Sequence, residues 1–186
     1  MNYQNIIHKH AKILEEFFAA KGFLFEEVAS LAVKSLKAGH KILIFGNGGS
    51  AAQAQHFAAE MVNKFLRIRL PLRAISLTTD TSALTSISND TSFDHVFSRQ
   101  IEALGDKGDL ALALSTSGNS PNVIKAIEAA KNKELITVAL TGKGGGKLAG
   151  MADYLLDIPS ESTPRIQEAH LLLLHLLAQE LEERLS

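Results

Sequence analysis

The chain contains no cysteine, which excludes disulfides and thiolate metal sites and is compatible with a reducing compartment. Charge of one sign is also missing. Nineteen Lys and Arg face twenty Asp and Glu, for a formal net charge of −1, and a general nucleic-acid or anionic-membrane binder would need a basic footprint. No apolar run approaches the roughly 20 residues of a membrane-spanning helix. The N-terminal stretch MNYQNIIHKHAKILEEFFAAKG mixes charge into its apolar residues at helical spacing, unlike the unbroken apolar core of a secretory signal. No internal repeat, low-complexity tract or Pro-rich linker divides the chain. What is present is 186 residues, 46% hydrophobic and 21% charged, which fits one α/β domain with a sizeable core. The expectation is a soluble cytoplasmic protein with one domain over 1–186, binding neither nucleic acid nor membrane.

Periodicity predicts helix from Ile6 to Ala38, with Ile13, Leu14, Phe17, Phe18, Val28, Leu31, Ala32 and Leu36 at three-to-four spacing. Gly22 is expected to break this run into two helices and Gly39 to end the second. Short apolar runs without polar alternation then follow at Lys41–Gly46, Ala74–Leu77, Leu110–Leu114, Leu135–Leu140 and Tyr154–Ile158. Such runs suit strands buried on both faces. Helical patterns separate them at Ala51–Leu66, Ser82–Ser88, Phe93–Leu104 and Asn122–Lys131, and a long apolar helix closes the chain from Arg165 to Arg184. Alternating strands and helices imply right-handed crossovers and a five-stranded parallel sheet covered on both faces, in a flavodoxin-like doubly wound order. The chain thus reads as N-terminal helices over 1–39 and an α/β sandwich over 40–186. Leu171, Leu172, Leu173, Leu174, Leu176 and Leu177 cover most of the circumference of the last helix. A helix apolar all round needs more cover than one small domain provides, so oligomerisation through the terminal helices is expected.

Ligands of such sheets bind beyond the carboxyl ends of the strands, at the switch point. After strand one comes Gly46-Asn-Gly-Gly-Ser50 at the start of a helix, where glycines allow close backbone approach and free amides favour an anion or polar oxygen. Gly46, Gly48 and Ala51 match the G-x-G-x-x-A variant of the dinucleotide fingerprint. The acidic residue that should follow strand two is missing, because Ser76 and Leu77 stand there, so a nucleotide-dependent oxidoreductase is disfavoured and no nucleotide is expected. After strand three, Leu114-Ser-Thr-Ser-Gly-Asn-Ser-Pro121 gathers Ser115, Thr116, Ser117 and Ser120 before a helix opened by Pro121. Hydroxyls and exposed amides at a helix start suit a phosphate monoester, without the lysine of a P-loop. An N-cap role would explain Ser120 alone. His56 and Glu60 lie four apart, on one face of the helix leaving the first loop. By itself that spacing is an ordinary solvated ion pair; behind this loop it can bind a metal or share a proton. Gln167 and His175 are polar intrusions in the leucine-rich last helix, on one side but about 12 Å apart along the axis. His170 fits a satisfied core histidine.

Taken together, GNGGSAAQAQHFAAE, SNDTSFDHVFSRQ, LSTSGNSPNVIKAI, LTGKGGGKLAGMAD and RIQEAHLLLLH resemble the phosphoheptose isomerases of the sugar isomerase (SIS) domain superfamily, over nearly the whole chain. The resemblance implies isomerisation of D-sedoheptulose 7-phosphate to D-glycero-D-manno-heptose 7-phosphate. This is the first step toward the ADP- or GDP-activated heptose of bacterial lipopolysaccharide or capsule. It implies a homotetramer with active sites between subunits. It implies substrate contacts at Asn47, Gly48, Gly49, Ser50, Glu60, Asn89, Asp90, Ser115, Thr116, Ser117, Ser120 and Gln167. It also implies one zinc ion per subunit on His56, Glu60, Gln167 and His175. Thr163-Pro164 stands where some relatives carry an acidic residue. Moving a carbonyl between C1 and C2 needs a base and an acid around an enediolate, and these tasks fall to Glu60 and His175 respectively. Two further readings are a non-catalytic SIS tetramer that binds a replication-initiator protein and a phosphosugar-sensing domain. The joint presence of Glu60, Gln167 and His175 favours the enzyme over the first. The second usually accompanies a DNA-binding domain, for which this chain has no room.

Overall fold

The computed structural model describes residues 2–186. In chain order the elements are α1 (Tyr3–Lys37), β1 (Ile42–Gly46), α2 (Gly49–Val62), β2 (Ala74–Ser76), α3 (Thr81–Asp90), a 3₁₀ turn (Phe93–His95), α4 (Ser98–Leu104), β3 (Leu110–Ser115), α5 (Pro121–Asn132), β4 (Ile136–Thr141), a second 3₁₀ turn (Gly146–Gly150), β5 (Tyr154–Asp157) and α6 (Thr163–Leu185). The five strands are all parallel in the order β2-β1-β3-β4-β5, as the alternating pattern predicts. Each crossover must return over one face of the sheet, so both faces are covered. Every residue of β1 and β3 is buried.

Alternation along the strands sorts the core into two halves. Ile42, Ile44, Leu110, Leu112, Leu114, Val138 and Leu140 face one way and pack with α1, α2 and α6. Leu43, Phe45, Ala111, Ala113 and Ala139 face the other way, under α4 and α5. Alanines on that second face let α5 lie close to the sheet, where Val123, Ala126, Ile127 and Ala130 are buried.

Three expectations are corrected. The break at Gly22 does not occur, because α1 runs unbroken from Tyr3 to Lys37. A mid-helix glycine costs only about 1 kcal/mol, and burial of Phe17, Phe25, Val28 and Ala32 along the same helix outweighs it. The first crossover helix starts at Gly49 and stops at Val62 instead of continuing to Leu66, since the N–H groups of Phe65, Leu66 and Arg67 donate to the Glu182 carboxylate. The Phe93–Leu104 pattern divides into a 3₁₀ turn and α4.

Candidate active site

β1 and β3 are neighbours and Gly46 is in register with Leu114, so the loops that leave them begin side by side. That is where the strand order reverses, and it brings together the two segments singled out above. Gly48 is the N-cap of α2 with φ of +56°, and a side chain there would meet open space. Its positive φ is reached cheaply only by glycine. It opens α2 beyond the carboxyl ends of the strands, where the Ser50 N–H donates to the Asn47 carbonyl and the Ala51 N–H to the Gly48 carbonyl, both at 3.0 Å.

Asn47 and Asn122 form a reciprocal amide pair, each Nδ2 donating to the other's Oδ1 at 2.8 Å. Asn122 is buried near the start of α5, so this pair ties the glycine loop to the hydroxyl loop. Ser50 is also buried. Gly49, next to it, lies against the Gln167 carboxamide, and Gln53 Nε2 donates to the Gln167 carbonyl at 2.7 Å. Gln167 therefore stands at the start of α2, about two helical turns before His56.

In the second loop the hydroxyl placed to cap α5 does not cap it. Ser120 is the N-cap of α5, yet its side chain makes no capping bond. Its Oγ lies 3.3 Å from Ser115 Oγ. Ser117 Oγ accepts from the Asn119 N–H. Gly118, with φ of +65°, lets the Gly145 carbonyl approach where a Cβ would sit. This close packing holds the glycine-rich loop after β4 against the hydroxyl loop. A cavity of ≈ 250 Å³ opens beside it, lined by Thr116, Ser117, Lys143, Thr163 and Ile166 among others. A roomier one of ≈ 610 Å³ lies beside α1 and shares Lys143, Ser160 and Glu161 with it. It contains none of the titratable trio described next, so chemistry rather than size locates the site. Asn89 and Asp90 close α3, where Asn89 Nδ2 donates to Asp90 Oδ1 at 2.9 Å.

α2 and α6 lie against each other, pairing Gly49 and Gln53 with Gln167 and Glu60 with His175. They therefore run in the same direction. His56 Nε2 is 3.0 Å from Glu60 Oε1 and 2.9 Å from His175 Nε2, while His175 Nε2 is 3.7 Å from Glu60 Oε1. One ligand atom from each lies within 4.8 Å of the others. Glu60 Oε2 is buried without a hydrogen-bond partner among the described residues. Two imidazole nitrogens converging on a carboxylate oxygen form a nitrogen–oxygen donor set of the kind zinc accepts, so these three side chains fit such an ion. His170, in contrast, is fully buried with Nε2 3.1 Å from the Thr141 carbonyl oxygen. Burial pushes its pKa down to about 4, against the opposing effect of that hydrogen bond.

The family model of the SIS domain matches residues 6–142. A phosphoheptose isomerase from Desulfovibrio desulfuricans is 53% identical over 91% of this chain and 80% of its own length. The chain belongs to the phosphoheptose isomerases, aldose–ketose isomerases built on the SIS domain. Solved structures of the family superpose closely. A phosphoheptose isomerase from Neisseria gonorrhoeae shares 44% identity at a TM-score of 0.91, covering 97% of both chains. One from Francisella tularensis shares 34% identity at a TM-score of 0.90, covering 97% of this chain and 96% of that one.

Other residues at this candidate site escape the sequence. Asn122 and Lys143 sit inside quoted motifs, but nothing in their spacing says that one braces Asn47 and the other lines the cavity by the hydroxyl loop. Phe65 stacks on His175, with ring centroids 5.7 Å apart and planes 27° apart. Arg69 and Glu182 form an ion pair whose side chains are each 2% exposed. The available signal is Glu182 itself, a carboxylate on the apolar stripe of α6, one turn after Ala178 and next to Leu181.

Proposed function

We propose that this chain interconverts D-sedoheptulose 7-phosphate and D-glycero-D-manno-heptose 7-phosphate, as an early step toward activated heptose for a bacterial surface glycan. The observation that carries the proposal is the meeting of Glu60 with two imidazoles in one chain, on the helix that leaves the glycine loop. Family membership supports the phosphosugar class, and the hydroxyl loop suits its phosphate. Ser115, Thr116, Ser117 and Ser120, with the amides at the start of α5, would hold the phosphate. Asn47, Gly48, Gly49 and Gln167 would line the sugar, with Asn89 and Asp90 contributing from α3.

In the ketose-to-aldose direction Glu60 removes a proton from C1. The electron pair of that bond forms the C1–C2 double bond, and the C2 carbonyl oxygen takes a proton from His175. The O1 hydroxyl then returns a proton to His175 as the C1 carbonyl forms, and Glu60 delivers its proton to C2. Each proton taken is returned, and Glu60 Oε2, buried without a hydrogen-bond partner among the described residues, shares no proton with a neighbouring group. In a metal-loaded form His56, Glu60 and His175 would hold a zinc-type cation, with Gln167 joining only by reaching from the start of α2; a ligating His175 Nε2 has no proton to give, so the proton steps above belong to the form without the cation. When bound, such a cation supplies Lewis-acid polarisation of the sugar oxygens.

The active form is proposed to be a homotetramer. Half-buried Leu171, Leu172 and Leu176 on α6, and exposed Tyr3, Ile7 and Phe23 on α1, leave apolar surface that a second copy would cover. The reading is tested by incubating the purified protein with sedoheptulose 7-phosphate, with and without chelator, and following aldose formation by NMR. Turnover is expected; its absence under both conditions overturns the isomerase reading.

A further inference from the structure

The segment between α2 and β2, Asn63 to Arg73, carries strongly exposed Leu66, Ile68 and Leu70, yet its backbone is tightly held from beneath. Glu182 accepts from the N–H of Phe65 at 3.0 Å and from those of Leu66 and Arg67 at 2.8 Å each. Its charge faces Arg69, with Nε 3.3 Å from Oε1. The Arg69 guanidinium in turn donates to the carbonyls of Glu60 at 2.8 Å, Met61 at 2.9 Å and Leu70 at 3.0 Å. Two of these are among the last carbonyls of α2, which have no intrahelical partner and attract a cation. Burial of the Glu182 carboxyl raises its pKa, but the three N–H donors and Arg69 more than offset this, leaving it lowered.

A buried pair of charges carries a desolvation cost and is weak evidence for stability by itself. What this pair does in space is specific. Arg69 grips the main chain of Glu60. Glu182 grips the main chain of Phe65, whose ring stacks on His175. Glu182 also sits on the same helix as His175, seven residues on. The pair thus touches the supports of both Glu60 and His175, and it sets the register of α2 against α6.

We propose that the Arg69–Glu182 ion pair is a positioning device for the His56–Glu60–His175 cluster, acting on Glu60 through its carbonyl and on His175 through the Phe65 ring. Phe65, Arg69 and Glu182 are positioning residues in this scheme, because none of them touches the reacting atoms. It rests on the isomerase reading only for its kinetic arm.

Three variants test it: Glu182→Gln, Phe65→Ala and Phe65→Tyr. Zinc affinity is measured by competition with a chromophoric chelator, alongside steady-state kinetics and thermal melting. Glu182→Gln and Phe65→Ala are each expected to weaken zinc binding and lower kcat by about 10–100-fold, the range for lost outer-shell support. KM should stay within roughly twofold, since the phosphate loop is untouched. Phe65→Tyr, which keeps the stacked ring, should stay near the wild type. The imidazole proton signals of His175 provide a readout that needs neither metal nor turnover. In Glu182→Gln they should lose the displacement that the Phe65 ring current produces. Should Glu182→Gln fail to fold, Arg69→Lys takes its place, as it keeps the charge but loses the guanidinium that holds the Glu60 and Met61 carbonyls. Lowered melting temperatures with zinc affinity, kcat and His175 signals unchanged would overturn the proposal. A wild-type protein that binds zinc but does not turn over sedoheptulose 7-phosphate would sink the isomerase reading and leave the zinc and NMR arms standing.

Discussion

At Glu60 one carboxylate oxygen faces two imidazole nitrogens and the other finds no partner among the described residues. In the proposed mechanism that division lets one side chain anchor a cluster and still move a proton. Glu60→Gln keeps the shape but cannot accept the proton, so kcat should fall about 10²–10⁴-fold with KM little changed, as steady-state kinetics would record. His170 carries a different prediction. Its pKa is lowered from 6.5 to about 4 in the folded chain, so between those values the unfolded chain binds a proton that the folded ring refuses. Stability from the neutral ring is complete above pH 6.5 and declines as pH falls toward 4, by up to about 1.4 kcal/mol per pH unit. Urea unfolding at pH 7 and pH 5 should show this slope, and His170→Gln should flatten it. The candidate residues were legible as candidates for two reasons: Gln167 and His175 interrupt a leucine-rich helix, and His56 and Glu60 follow the glycine loop four residues apart. Asn122 was not legible, because an asparagine in a helix start says nothing of which loop it braces.

At the scale of elements, α1 is the clearest departure. Gly22 reads as a breaker because local propensity is all that a sequence window contains, whereas long-range burial decides. A methyl group at Gly22 would meet only Phe18 Cδ1, at 3.7 Å, which is ordinary contact. Gly22→Ala should therefore stabilise the chain by about 0.5–1 kcal/mol, seen as a higher urea midpoint at unchanged slope. The strands were readable within a residue or so, since runs buried on both faces leave no polar alternation to confuse them. The end of α2 was not. Its apolar pattern continues to Leu66, and only Glu182, more than a hundred residues later, draws the N–H groups of Phe65 to Arg67 away.

For the whole molecule, the proposed tetramer should sediment at four times the 20.1 kDa chain mass. Because Glu60 and His175 meet within one chain, at 3.7 Å, mixing Glu60→Gln with His175→Gln subunits should restore little activity. Strong recovery would mean that the working pair forms across subunits. The apolar excess of α1 and α6 was visible in the sequence, and Leu171, Leu172 and Leu176 stay half-buried while Tyr3, Ile7 and Phe23 stay exposed in the single chain.

The parallel sheet, its order and the two loops at its switch point were readable from the residues alone, because burial on both faces and turn chemistry are local patterns. The sequence also carried enough motif to mark the family. Tertiary structure alone decided that Ser120 leaves its cap unused, that Asn122 braces Asn47, and that Arg69 and Glu182 hold the supports of Glu60 and His175. Those relations join residues 5 to more than 100 positions apart, and a distance along the chain contains no angle or separation in space until the helices have packed.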